Sequence, residues 1–128
     1  MKQVAAAIAV RDNRVLVTRR APGEKLEGYW EFPGGKLEEC ESPQDCIVRE
    51  LLEELSVEAE AGEIIAESIY KYSGGAINLI GVSVLLLSED IHLSVHDAYE
   101  WVLLSELLGM NLAPADVAIA EELVRRYG

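Results

Sequence analysis

The alternation of apolar and polar residues divides the chain into short strands and two amphipathic helices. Residues 4–10 and 15–19 are apolar runs separated by Arg11-Asp12-Asn13-Arg14, which predicts a hairpin turning on Asp-Asn. Residues 20–28 are polar, contain a Pro22-Gly23 turn and read as a loop. Tyr29-Trp30-Glu31-Phe32 predicts a short aromatic strand, stopped by Pro33 and a glycine pair. A helix start follows at Ser42-Pro43-Gln44-Asp45: Ser42 caps, Pro43 suits the first helical position, and Asp45 complements the first turn. Ile47, Val48, Leu51, Leu52 and Leu55 form its apolar stripe, with Glu50, Glu53 and Glu54 opposite. Residues 60–72 and 76–87, joined by Ser73-Gly74-Gly75, predict a second and longer hairpin. Residues 89–97 read as a polar loop, 99–103 as a strand around Trp101, and 105–108 as a short helix ending near Gly109. Pro114 opens a last helix that turns Val117, Ile119 or Ala120, Leu123 and Val124 towards the core.

Strands interrupted by two separated helices predict an α/β fold in which a mixed sheet is covered on both faces. The chain has 128 residues, half of them hydrophobic, with no repeat or linker, so one domain over residues 1–128 is expected. Charge narrows the partners. With 23 acidic residues against 11 basic and a net charge of −12, polymeric nucleic acid is a poor partner. A small phosphorylated ligand arriving with metal ions is not excluded, and residues such as Glu58, Glu60 and Glu121 read as solvated surface. Cys40 and Cys46 do not form a metal-type pair and suit a reducing cytosol. The first apolar run is cut by Arg11-Asp12 without a cleavage site, and the uncharged residues 73–88 are too few and too rich in glycine and serine to cross a bilayer. A soluble cytoplasmic protein without a membrane partner is the expectation. Both monomer and homodimer stay open, the dimer because residues 76–87 would expose an apolar strand if they lay at a sheet edge.

The chemistry concentrates in residues 34–57. Glutamates at i, i+3 and i+4 share a helix face, and like charges stacked there repel unless something neutralises them. A hard divalent cation is the simplest answer, because such ions prefer carboxylate oxygen. Carbonyls near Gly34-Gly35 and these carboxylates suit two or three Mg²⁺ or Mn²⁺ ions gripping a polyphosphate. Arg49 is placed to hold a carboxylate by charge-assisted hydrogen bonds, and Lys36 to touch a phosphate. An ordinary exposed acidic helix explains the glutamates alone equally well; the longer spacing decides.

That spacing resembles the Nudix box, G-x5-E-x7-R-E-U-x-E-E-x-G-U with U aliphatic. Gly35 is followed by five residues and Glu41, then seven residues and Arg49-Glu50-Leu51, Glu53-Glu54-Leu55 and Ser56-Val57. Every defined position matches except Ser56, where the family has glycine. Glu31-Phe32-Pro33-Gly34-Gly35-Lys36 and the ending Leu112-Ala113-Pro114-Ala115-Asp116 are similar to the MutT-like subgroup. The resemblance implies a Nudix fold, with a mixed sheet sandwiched between helices. It also implies Mg²⁺-dependent (or Mn²⁺-dependent) hydrolysis of a nucleoside triphosphate to monophosphate and pyrophosphate, for nucleotide-pool sanitation or control. The other readings are another nucleoside diphosphate derivative, such as ADP-ribose or a dinucleoside polyphosphate, and a non-catalytic nucleotide-binding module.

Position by position, the resemblance makes Glu50, Glu53 and Glu54 metal ligands, joined by the Gly35 carbonyl. Glu50 or Glu53 is the base for the attacking water, Arg49 orients the carboxylates, and Glu41 supports the loop. Ser56 falls where a positive φ is expected, at a strain of about 1 kcal/mol. Val95 stands where related enzymes carry a further glutamate, leaving Asp97 or Glu100 to substitute or the site with fewer ligands; His96 reads as an exposed loop residue. The subgroup's base-reading position is Asp116. A carboxylate there accepts from an exocyclic amine such as cytosine N4, while a protonated one suits an oxidised purine. Trp30, Tyr29 and Tyr72 are candidates to stack on the base.

Overall fold

The molecule is described by a computed structural model covering Met1–Gly128. The first strand, β1 (Lys2–Ile8), sits inside a four-stranded sheet of order β5-β1-β7-β6, built with β5 (Gly34–Lys36), β6 (Ala59–Tyr72) and β7 (Gly75–Leu86). β1 runs parallel to β7 and antiparallel to β5, so the sheet is mixed. Its core face alternates in the way a doubly covered strand requires. Ala5 and Ala7 pack in one cluster with Cys46, Ile47, Leu51 and Leu55 of helix α1 (Pro43–Leu55). Ala6 and Ile8 pack in the other with Ile119, Ala120 and Leu123 of helix α3 (Val117–Tyr127). An uninterrupted run of small apolar residues, with no polar alternation, is what burial on both faces demands. The three-layer α/β/α arrangement expected from the sequence is therefore present.

A second sheet is antiparallel and centred on β3 (Arg14–Arg20). β8 (His96–Leu103) pairs with it along one edge, while β2 (Val10–Arg11) and β4 (Trp30–Glu31) pair with opposite ends of its other edge. The short helix α2 (Leu104–Leu107) follows β8 directly, burying Leu104 and Leu107.

Several expectations change. The first hairpin is confined to β2 and β3, turning on Asp12 and Asn13 with φ of 52° and 61°. β1 leaves that ladder for the mixed sheet, because its apolar backbone finds partners on both sides there. The β6–β7 hairpin forms as expected, but β7 lies between β1 and β6, so the edge that suggested a dimer belongs to β6 instead. Leu52 and Val117, assigned to the core, are exposed: each lies one step off the buried stripe of its helix. No helix is long and apolar enough to cross a membrane.

Candidate active site

α1 begins as its sequence dictates, with Ser42 Oγ accepting the Asp45 N–H at 3.0 Å and Pro43 at the first position. It ends at Ser56, whose φ of 57° and ψ of 32° are left-handed, with its N–H directed to the Leu51 and Leu52 carbonyls. Burying Ile47, Leu51 and Leu55 against β1 turns the glutamate face towards β5.

Arg49 is the hub of that face. It makes a two-pronged contact with Glu41, Nε to Oε2 at 2.8 Å and Nη2 to Oε1 at 2.9 Å. Nη1 donates to Glu50 at 2.9 Å and more weakly to Glu53 at 3.4 Å, and Nη2 donates to the Lys36 carbonyl at 3.2 Å. One guanidinium so ties the loop, the strand and the helix together. Its hydrogen bonds, with the Glu38 N–H, hold Glu41 well below the usual carboxylate range, at about 2. The buried Cys46 thiol, pushed up to about 12 mainly by burial, lies 3.4 Å from the Gly35 carbonyl and 3.5 Å from that of Lys36.

Glu50 and Glu54 are the close pair. Burial, then the Glu50 charge and a hydrogen bond to Glu50, raise Glu54 to about 8. Two neighbouring carboxyl groups disfavour the ionised form of Glu54, and a cation placed between them would relieve that repulsion. Gly35 lies directly against Glu50: a Cβ there would fall 2.5 Å from Oε1 and 2.7 Å from Oε2. Glu53 is more than half exposed and tied to Arg49, and no three His, Cys, Asp or Glu side chains converge as a ready metal cage. Gly35, Glu50 and Glu54 are thus brought together, whereas Glu53 points partly away.

Gly34, Gly35 and Lys36 also line a pocket of about 270 Å³, and Asp116 lines it with them. Asp116 is 6% exposed, and its carboxyl accepts the Phe32 N–H at 2.9 Å. Burial outweighs that hydrogen bond and raises Asp116 to about 7, with the Glu31 charge adding to the rise and Arg20 opposing it. Trp30, Tyr29 and Tyr72 do not line this pocket; its apolar walls include Leu26, Phe32, Ile77 and Leu79.

Near Val95 the carboxylates are engaged elsewhere. Asp97 pairs with Arg19 at 2.8 Å, and Glu100 lines a separate surface groove with Arg14 and Glu106. His96 is not an exposed loop residue. It is buried at the start of β8, with Nε2 2.9 Å from Glu31 Oε2. The strand extends three residues beyond the expected start, so pairing with β3 draws the imidazole inwards. Arg20, Glu31 and His96 are the site residues that sequence reasoning missed. A charge within the aromatic Trp30-Glu31-Phe32 strand was the available signal, since a half-buried carboxylate needs partners; Arg20 and His96 carried none.

The layered fold and the glutamate helix define a Nudix-type hydrolase. Residues 1–127 match the NUDIX domain, and the chain belongs to that family. It is 39% identical over 121 residues to the CTP pyrophosphohydrolase of Escherichia coli (strain K12), covering 94% of this chain and 90% of that protein. It is 32% identical over 82 residues to the 8-oxo-dGTP diphosphatase of the same strain, covering 62% and 64% respectively. The solution structure of the E. coli ORF135 protein superposes with a TM-score of 0.87 at 38% identity, covering 98% of this chain and 89% of that one. Nudix hydrolases generally use divalent metal ions. Glu50 and Glu54, hard oxygen donors set close enough to repel, with the Gly35 backbone beside them, fit such an ion.

Proposed function

We propose that this enzyme hydrolyses a nucleoside triphosphate to the monophosphate and pyrophosphate, with cytosine or oxidised purine nucleotides favoured. The observation that carries this is one strand with two faces of use. Gly34-Gly35-Lys36 lines the Asp116 pocket and also abuts Glu50, so a base in the pocket has its phosphates led to the glutamates. The CTP pyrophosphohydrolase and 8-oxo-dGTP diphosphatase similarities support the same choice.

In this reading Glu50, Glu53, Glu54 and the Gly35 carbonyl hold Mg²⁺ or Mn²⁺, with Glu53 turning inwards from Arg49. The ion, when bound, lowers the pKa of a coordinated water and spreads the charge of the leaving phosphate. Water attacks a bridging phosphorus, the bond to the departing pyrophosphate oxygen breaks, and Glu50 or Glu53 accepts the water proton. Arg49 keeps the carboxylates aligned, Lys36 meets a phosphate, and Asp116 reads the base. We take residues 1–128 as one domain acting in the cytoplasm, where its two free thiols stay reduced. The test is a nucleotide panel with Mg²⁺ and pyrophosphate detection. Turnover of CTP, 5-methyl-dCTP or 8-oxo-dGTP that is lost with EDTA supports the proposal; turnover of ADP-ribose or dinucleoside polyphosphates alone refutes it.

A further inference from the structure

The His96–Glu31–Arg20 cluster is absorbed by none of the roles above. His96 is 6% exposed and lies on β8 opposite Arg20 of β3, where the ladder shifts register. A carboxylate oxygen only accepts, so the proton is on Nε2 and the imidazole donates to Glu31 Oε2 at 2.9 Å. Its Nδ1 is buried without any partner, so the single hydrogen bond of this ring goes to Glu31. Arg20 Nε approaches the same Oε2 at 3.0 Å, aligned as an ion pair and not as a hydrogen bond. Both groups therefore hold one oxygen of Glu31, and Oε1 has no hydrogen bond within the protein.

Glu31 lines the pocket together with Arg20 and Asp116. Asp116 is arranged in the same way, with Oδ2 taken by the Phe32 N–H and Oδ1 without a partner. The pocket therefore presents two carboxyl groups, each fixed through one oxygen and free at the other, between apolar walls. We propose that His96 is a positioning residue for base recognition, fixing Glu31 as a second acceptor beside Asp116 for a base that carries an exocyclic amine. This rests on the nucleotide reading above. Two acceptors meet the two hydrogens of an amine such as cytosine N4, whereas the carbonyl oxygen at the same place in uracil faces them lone pair to lone pair.

CTP and UTP differ at that group and at the adjacent N3, an acceptor in cytosine and an N–H donor in uracil, so the test compares kcat and KM for the two, and calorimetric binding of CMP and UMP, in the full chain. The wild type is expected to prefer CTP. His96→Leu should reduce the CTP/UTP ratio of kcat/KM by about 10-fold, with the loss in KM more than in kcat. His96→Gln, which keeps an N–H donor, should recover most of it. A wild type that hydrolyses no nucleotide and binds neither monophosphate overturns the nucleotide reading itself. A wild type that hydrolyses both equally, or a folded His96→Leu that keeps the full preference, overturns the positioning role alone. If His96→Leu fails to fold, Glu31→Met decides: a lost preference supports the role, and an intact one overturns it.

Discussion

Gly34 and Gly35 are neighbours on β5, yet adding one methyl to each should have opposite consequences. At Gly35 the atoms nearest the new Cβ would be the carboxylate end of Glu50, with its oxygens at 2.5 and 2.7 Å. Ordinary contact begins near 3.4 Å, so that end must retreat by about 1 Å, which a flexible side chain can do. The retreat breaks the 2.9 Å bond to Arg49 and the Glu50–Glu54 contact. Part-buried bonds of this kind contribute roughly 1 kcal/mol, or a melting shift of about 3–5 °C in a chain of this size. A misplacement of about 1 Å at a reacting centre, in contrast, costs on the order of 10²-fold in rate. At Gly34 the methyl would instead fall on the Ala5 carbonyl oxygen, backbone that cannot move without parting β1 from β5. Gly34→Ala should therefore lose roughly 3 kcal/mol or more of stability. Pyrophosphate release and thermal melting, measured on both variants, form the assay. A Gly35→Ala enzyme within about 3-fold of wild-type turnover, or one that melts as low as Gly34→Ala, would refute the placement of Glu50 against the strand.

Ser56→Gly should stabilise the fold by about 0.5–1 kcal/mol, because Ser56 sits at φ 57°; a melting temperature unchanged or lowered contradicts the strain. Glu53→Gln and Glu54→Gln should each lower turnover by about 10²-fold with the fold intact, read from steady-state kinetics and circular dichroism; near-normal activity in both sinks the metal-ligand assignment. Asp116, raised to about 7, keeps its proton in the folded state to a higher pH than in the unfolded chain. Its contribution to stability is thus full at low pH, falls as pH rises from about 4 to about 7, and is flat beyond. The fall is at most about 4 kcal/mol, and Asp116→Asn should remove it; urea midpoints that track wild type across this range would show the carboxyl to be unperturbed.

Much of the candidate site was legible along the chain, because its parts are local. Gly35, Glu41, Arg49, Glu50 and Glu54 lie within one strand, loop and helix, where the 3.6-residue period places glutamates on one face without reference to distant residues. The helix cap at Ser42 and the left-handed turn at Ser56 are equally local. What escaped was set by pairing between distant segments. β1 abandons the hairpin that adjacency suggests, since the ladder to β7 across some 75 residues buries both of its faces. The inward turn of His96 follows from how far β8 zips along β3, and the joining of Glu31 to Asp116 from a strand and a helical turn 85 positions apart in the chain. Sequence periodicity determines which residues share a face of one element. Only the tertiary structure decides which elements meet, because that choice depends on burying every face at once, and here it is what brings the Asp116 pocket to the glutamate helix.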